Sequence, residues 1–143
     1  MIGSFIVFAY LMAEGTESAK VDANELLRLQ GTWKLVAVEE VGGNVPKEEL
    51  KIDTVLVKDD KWVVNLSDGG RVEAKIVLLD PNAKPARMTL RIGQNDFNAI
   101  YLLKDNTLKA NVADQNQPAP ADFRPVDSNS GGVSTYRRKP QKP

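Results

Sequence analysis

Hydrophobic and polar residues alternate along most of this chain, in short runs separated by turn-forming residues. The alternation is clearest in "ARMTLRI", residues 86–92, where Met88, Leu90 and Ile92 fall on one face and polar side chains on the other. A period of two residues predicts a β-strand with one dry and one wet face. The linkers contain Gly, Pro, Asn or Asp, so the sequence predicts eight strands joined mostly by short hairpins. The other seven runs are 32–40, 53–58, 61–66, 71–79, 97–104, 108–113 and 133–138.

Strands with one dry face favour an antiparallel sheet, and eight of them in sequence favour a sheet that closes on itself. Closure also removes the exposed strand edges that would invite aggregation. The predicted fold class is therefore all-β: an eight-stranded antiparallel up-and-down barrel with a short N-terminal helix. Such an interior is either filled by side chains or wide enough for one small ligand, and both alternatives stay open here. The side chains predicted to face inward are Trp33, Leu35, Ala37, Leu56, Trp62, Val64, Val72, Ala74, Ile76, Met88, Leu90, Tyr101, Leu103, Leu108, Ala110 and Val112.

The predicted helix lies in "VDANELLRLQG", residues 21–31, ahead of the first strand. Asp22 is a suitable N-cap, and Glu25 three positions later can complete a capping box. Gly31 stands where the end of a helix often requires a left-handed residue. A helix this short is not stable alone, so we expect its leucine face to pack on the barrel.

The first residues, "MIGSFIVFAYLMA" at 1–13, are apolar and carry no charged side chain. They are too few to cross a bilayer, which takes about 20 residues, but they have the length of a signal-peptide core ending at Ala13. We expect an exported protein, periplasmic or extracellular, without stable membrane insertion; the alternative is a hydrophobic segment of the fold. The expected organisation is a signal peptide at 1–13, a linker and helix start at 14–24, one barrel domain at 25–139 and a tail at 140–143.

Charge and composition narrow the expected function. The chain has 19 basic and 19 acidic residues, so no long-range field attracts nucleic acid, and we expect none as a partner. It has no histidine and no cysteine, which excludes His-dependent nucleophiles, imidazole or thiolate zinc sites and disulfides. We expect no metal, no cofactor and no catalytic residue. An enzyme using Glu39, on the face of Trp33 and Leu35 at the barrel mouth, is the less favoured alternative to a solvated rim carboxylate.

A helix followed by Gly-x-Trp on the first strand, here Gly31 and Trp33, resembles the start of a lipocalin barrel. With "VPKEEL" at 45–50, "IYLLKDNTLK" at 100–109 and the final "YRRK", residues 25–139 more closely resemble a family of bacterial lipocalin-like domains without an assigned activity. The resemblance implies that Trp33 plugs the closed end of the barrel under a basic side chain, Arg137 or Arg138. It also implies export, which members of the family commonly show. A buried Trp33 without an arginine above it is the alternative.

Two functions follow from this prediction. The first is a non-catalytic binding module for a small apolar ligand. The second is a structural or protein-interaction domain with a filled barrel, which works through the irregular loop at 114–132 and an unknown partner protein. The ligand-contacting side chains predicted for the first are Leu35, Leu56, Trp62, Val64, Met88, Leu90 and Tyr101.

Overall fold

The computed structural model describes residues 20–125 and 132–140. The predicted signal peptide at 1–13, residues 14–19 of the predicted linker, residues 126–131 of the long loop and residues 141–143 of the tail lie outside the described residues. One helix, α1, spans Ala23–Leu29, and a short 3-10 turn spans Lys47–Glu49. The strands are β1 (Gly31–Glu40), β2 (Gly43–Asn44), β3 (Ile52–Lys58), β4 (Lys61–Leu66), β5 (Arg71–Asp80), β6 (Ala86–Ile92), β7 (Asn95–Lys104), β8 (Thr107–Val112) and β9 (Val133–Arg138).

The sheet is a closed barrel. From β3 to β9 each strand pairs with the next in antiparallel register, β1 pairs with β3, and β9 returns to pair with β1. The short β2 pairs only with the end of β1, so eight strands form the wall. The predicted fold class, an eight-stranded antiparallel up-and-down barrel preceded by a short helix, is confirmed.

Most strand boundaries agree with the alternation of the sequence. The runs predicted at 61–66, 86–92 and 133–138 coincide with β4, β6 and β9, and the other boundaries shift by one or two residues. The sequence did not predict β2, which lies within the predicted loop at 41–51. Its two residues are too few to show an alternating pattern. The predicted turn at 93–96 is also shorter, because β7 already begins at Asn95.

A bulge in β1 changes which side chains face the lumen. Leu35 pairs with Tyr136 and Ala37 with Thr135, so Val36 is an extra residue in this strand. Since each bulge residue reverses the alternation, Ala37 faces outward and Val38 faces the core. The prediction that Ala37 faces inward is therefore wrong. Simple alternation could not have shown this, because the bulge depends on pairing with β9, a distant part of the chain.

The face of β3 also differs from the prediction. Val55 and Val57 face the lumen opposite Val64 and Trp62, whereas Leu56 pairs with Val63 on the outer face. The two-residue turn between β3 and β4 sets this register, since it places Val57 directly across from the inward-facing Trp62. The prediction that Leu56 faces inward and contacts a ligand is wrong.

The remaining side chains predicted to face inward do so, and apart from Val72 and Val112 they belong to one hydrophobic core. Trp33, Val55, Ile76 and Leu108 are at most 1% exposed. Leu29 of α1 is also fully buried, so the helix packs its apolar face against one end of the barrel as its length required. The residues before α1 are held there as well: Asp22 N–H donates to the carbonyl of Leu79 at 3.0 Å.

The caps of α1 follow the prediction only in part. The carboxylate of Asp22 accepts a hydrogen bond from the backbone N–H of Glu25 at 2.8 Å, which confirms Asp22 as the N-cap. Gly31 has a φ of +126°, in the region that favours glycine. Glu25 does not close a capping box: its carboxylate is buried and bonds Tyr101 and Arg28. The distant Tyr101 and Arg28, three residues along the helix, thus replace the capping-box bond that the spacing suggested.

Candidate functional site

The barrel interior is the candidate site, and its two ends differ. We call the end covered by α1 and Trp33 the closed end. The opposite end, where Ile52 and Val64 lie, is called the open end. The two ends differ in how completely their side chains are buried.

Trp33 seals the closed end. Its ring is fully buried, and its indole N–H donates to the backbone carbonyl of Leu29 at 2.9 Å. The last carbonyls of a helix lack partners within the helix, so this bond satisfies one of them while it holds the ring in place. Gly31, at the start of β1 between the helix and Trp33, has the positive φ that favours glycine.

Arg138 covers the outer side of this ring. Its guanidinium carbon lies 4.2 Å from the ring centroid of Trp33, within the range of a cation–π interaction. The same group donates to the carbonyl of Arg28 at 2.7 Å, to the carbonyl of Gln30 and to the side-chain oxygen of Asn106 at 3.1 Å. Of the two arginines left open by the sequence, Arg138 is therefore the one over the ring.

Arg137 lies on the outer face of β9 and is exposed. This neighbour offers a matched control. Replacing Arg138 with lysine should lower the free energy of unfolding by about 1–2 kcal/mol, because a single ammonium cannot stack on the ring and bond the helix carbonyls together. Urea denaturation of Arg138→Lys and Arg137→Lys measures this, with Arg137→Lys expected within about 0.5 kcal/mol of the parent protein. Equal losses in the two variants would contradict the assigned role of Arg138.

A buried carboxylate completes the closed end. Glu25 is 4% exposed, and its two oxygens accept hydrogen bonds from Tyr101 Oη at 2.6 Å and from Arg28 at 2.7 Å. Burial and the neighbouring Glu25 carboxylate raise the pKa of the Tyr101 phenol well above its ordinary value. The phenol therefore stays protonated and donates to the Glu25 carboxylate, so this buried carboxylate has hydrogen-bond partners inside the closed end.

Two aromatic rings meet across the lumen. Trp62 of β4 and Tyr136 of β9 lie on strands that do not pair, and their centroids are 6.3 Å apart with planes at 87°. Burial raises the pKa of Tyr136 to about 12, and the hydroxyl of Ser134 is its hydrogen-bonding neighbour. The indole N–H of Trp62 has no hydrogen-bond acceptor among residues 20–125 and 132–140, although the residue is only 4% exposed.

The lining at the open end is apolar but only partly covered. Side chains here pack against the core while keeping some exposure to solvent, in contrast to the complete burial of Trp33. Part of the segment between β2 and β3 contributes, since the backbone N–H of Val45 donates to the carbonyl of Val38 at 2.8 Å. The partly buried residues at this end are Val45, Leu50, Ile52, Val64 and Phe97.

The predicted ligand-contacting residues do not all share one layer. Met88 and Tyr101 are at most 2% exposed and belong to the closed half, where Tyr101 bonds the helix. The other inward-facing members, apart from the misplaced Leu56, extend from the middle of the lumen to the open end: Leu35, Trp62, Val64 and Leu90.

The prediction missed Tyr136 and Ser134, because the sequence did not decide between Arg137 and Arg138. With Arg138 over the ring of Trp33, alternation along β9 places Tyr136 and Ser134 on the same inward face. Phe97 was also missed, although it begins the predicted run 97–104 and alternation from Tyr101 places it on the same inward face. Val38 could not be found, since its orientation depends on the bulge at Val36.

The described part of the long loop packs outside the barrel. Asn98 donates to the carbonyl of Gln117 at 2.7 Å, and Asn111 donates to the carbonyl of Asp122 at 2.8 Å. Phe123 is half-buried, with the ammonium of Lys109 5.4 Å from its ring centroid. Residues 114–125 therefore follow the outer face of β7 and β8.

No protein-family model, curated protein or solved structure matches this chain. The fold itself is shown: the chain forms an eight-stranded antiparallel barrel consistent with a lipocalin-like fold. Among the residues that the structure describes, no helix is long and apolar enough to span a bilayer. Within the same residues, acidic side chains nowhere gather in threes as a metal-binding group.

Proposed function

We propose that this protein is a non-catalytic binding module that takes a small apolar molecule into the open end of its barrel. The observation that carries the proposal is the contrast between the two ends. Trp33 and Arg138 seal one end, while apolar side chains around Val64 remain partly exposed at the other. Concave sites lined by apolar side chains with a few polar groups are the usual places where small molecules bind.

An apolar molecule bound at the open end would remove apolar surface from water, which favours binding. Each Å2 of apolar surface that a ligand covers contributes roughly 25 cal/mol, so a molecule covering the ring of partly exposed side chains gains several kcal/mol before the cost of association. The polar groups nearest this region are the hydroxyls of Tyr136 and Ser134. A ligand whose surface is mainly hydrocarbon is therefore favoured over a highly polar one.

A catalytic role for Glu39 loses its structural basis. The bulge at Val36 places Glu39 on the outer face, where it pairs with Val133 and is exposed. The prediction that Glu39 shares the face of Trp33 and Leu35 is wrong for this reason. We propose a non-enzymatic role on this ground, together with membership of the bacterial lipocalin-like domains and export directed by the apolar segment at 1–13.

The test is titration with the neutral fluorescent dye N-phenyl-naphthylamine. We expect saturable binding to the parent protein and at least about tenfold weaker binding to Val64→Lys, because an ammonium at the open end cannot be desolvated beside an apolar guest without a large cost. Leu102→Lys is the matched control, since Leu102 is 54% exposed and faces outward on β7. Circular dichroism checks that both variants keep the fold. Equal dye affinity in the two variants would rule out the open end as the site.

The second candidate function is protein interaction through the loop at 114–132. It is favoured by the bonds from Asn98 and Asn111, which fix residues 114–125 as a defined surface on the barrel. The dye titration separates the two proposals. A filled barrel that works through this loop leaves the parent protein without saturable dye binding.

A further inference from the structure

We infer that the ligand of this barrel carries an uncharged hydrogen-bond acceptor, such as a ketone or ester oxygen, which accepts from the indole N–H of Trp62. The inference rests on the proposed function and adds the chemical class of the guest. The observation behind it is the indole N–H of Trp62, a buried donor that meets no acceptor among residues 20–125 and 132–140.

Two other buried side-chain donors among the described residues have protein acceptors. The indole N–H of Trp33 donates to Leu29, and the hydroxyl of Tyr101 donates to Glu25. The hydroxyl of Tyr136 has the hydroxyl of Ser134 as its neighbour. The Trp62 ring is equally buried at 4% exposure, yet no acceptor within residues 20–125 and 132–140 meets its N–H. Buried donors are rarely left unpaired, because each loses its bonds to water without compensation.

Trp62 lies in the interior of the barrel, below the open end. The residue faces the lumen, since it pairs with Val57 and Ala74 on the inner face and meets Tyr136 across the interior. Val64 of the same strand is two residues nearer the open end and is partly exposed. Residues two apart on one strand are separated by about 7 Å, so a guest only a few carbons long bridges the two positions.

The required acceptor is uncharged because of the surrounding residues. An indole N–H can only donate, so its partner must accept. The cations nearest the lumen are already engaged: Arg138 bonds helix carbonyls, and Arg28 bonds Glu25. The side chains facing the lumen beside Trp62 are valine, alanine and tyrosine. A carboxylate on the guest would therefore be buried without a counter-ion, at a large cost in free energy.

The experiment uses three probes with nine carbons each: 2-nonanone, nonane and nonanoate. The sequence contains two tryptophans, so an ¹⁵N-labelled sample gives two indole signals, and Trp33 serves as the internal reference. We expect 2-nonanone to move the Trp62 signal downfield while the Trp33 signal stays in place. Nonane should leave the Trp62 proton without a downfield shift, and nonanoate at pH 7 should cause no such shift at equal concentration.

The variant Trp62→Phe removes the donor and keeps an aromatic ring. We expect it to weaken 2-nonanone binding about five- to tenfold and to leave nonane binding unchanged within about twofold, since a hydrogen bond of this kind contributes about that factor. Should Trp62→Phe fail to fold, the indole shifts of the parent protein decide the matter alone.

The other outcomes overturn the inference in different ways. If 2-nonanone and nonane both bind but the Trp62 signal does not respond differently to the ketone, the acceptor is wrong while the binding function stands. An equal downfield shift with nonanoate would contradict the restriction to uncharged groups. If neither 2-nonanone nor nonane binds, the binding function fails together with the inference.

Discussion

Replacing Trp33 with alanine should lower the free energy of unfolding by about 3–5 kcal/mol, the usual range for a fully buried aromatic residue. Three contributions are lost together. The ring is 0% exposed and fills the closed end, its N–H satisfies the carbonyl of Leu29, and its face receives the guanidinium of Arg138. Urea denaturation followed by circular dichroism measures the loss.

Two further variants separate these contributions. Trp33→Phe keeps an aromatic face but removes the bond to Leu29, so we expect a smaller loss of about 1–3 kcal/mol. Leu27→Ala changes a helix side chain that is 72% exposed, and its effect should stay within about 0.5 kcal/mol. A loss below about 1 kcal/mol for Trp33→Ala would show that the ring does not seal the barrel.

Removing the hydroxyl of Tyr101 should also destabilise the protein, by about 2 kcal/mol at pH 7. Tyr101→Phe leaves the buried Glu25 carboxylate with Arg28 as its remaining side-chain partner among the described residues. A double-mutant cycle with Glu25→Gln should give a coupling of about 1–3 kcal/mol, because the two side chains contact each other directly at 2.6 Å. Tyr136→Phe is the matched control, since the hydroxyl of Tyr136 neighbours a hydroxyl group and not a carboxylate. Additive losses in the cycle would contradict the coupling.

The same pair predicts a response to alkaline pH. The pKa of Tyr101 is raised by burial first and by Glu25 second, so the folded protein holds this proton more tightly than the unfolded chain. The stability linked to the phenol is therefore complete below pH of about 10, the ordinary tyrosine pKa, and declines as pH rises above it. Tyr101→Phe should show a shallower decline of the free energy of unfolding above pH 10, measured by urea denaturation across the alkaline range. An unchanged slope would contradict the raised pKa.

The strands were predictable because their signal is local. Alternation such as that of Met88 and Leu90 fixes a strand and its dry face within a few residues, and Gly31 followed by Trp33 marks the start of the barrel. Eight such strands leave few ways to bury every dry face other than closure. The fold class therefore follows from short-range pattern alone.

What could not be predicted depends on contacts between distant residues. The bulge at Val36 is a property of the pairing of β1 with β9, and it reverses Ala37, Val38 and Glu39 together. The run holding Leu56 has apolar residues on both faces, so only its pairing with Trp62 and its neighbours selects the inner one. Glu25 fits a capping box by spacing, but Tyr101 lies 76 residues away and competes for its carboxylate.

The candidate site shows the same division. The sequence placed Trp62, Val64 and Leu90 in the lumen, but it could not separate the sealed half from the partly exposed half. That difference arises because α1 packs on one end and no equivalent helix among the described residues packs on the other. The pattern of a single strand therefore shows that a side chain faces the lumen, but the position of the helix is needed to say whether it lies in the sealed half.

The most direct test of the account is the position of a bound molecule within the barrel. Intermolecular nuclear Overhauser effects between 2-nonanone and the methyl groups of the protein measure this position. A molecule bound at the open end should give contacts to Val64 and Leu90, at and below that end, and none to Leu29 of α1. Contacts confined to outward-facing methyl groups such as those of Leu102, or a complete lack of contacts to lumen methyl groups at saturating 2-nonanone, would contradict this prediction.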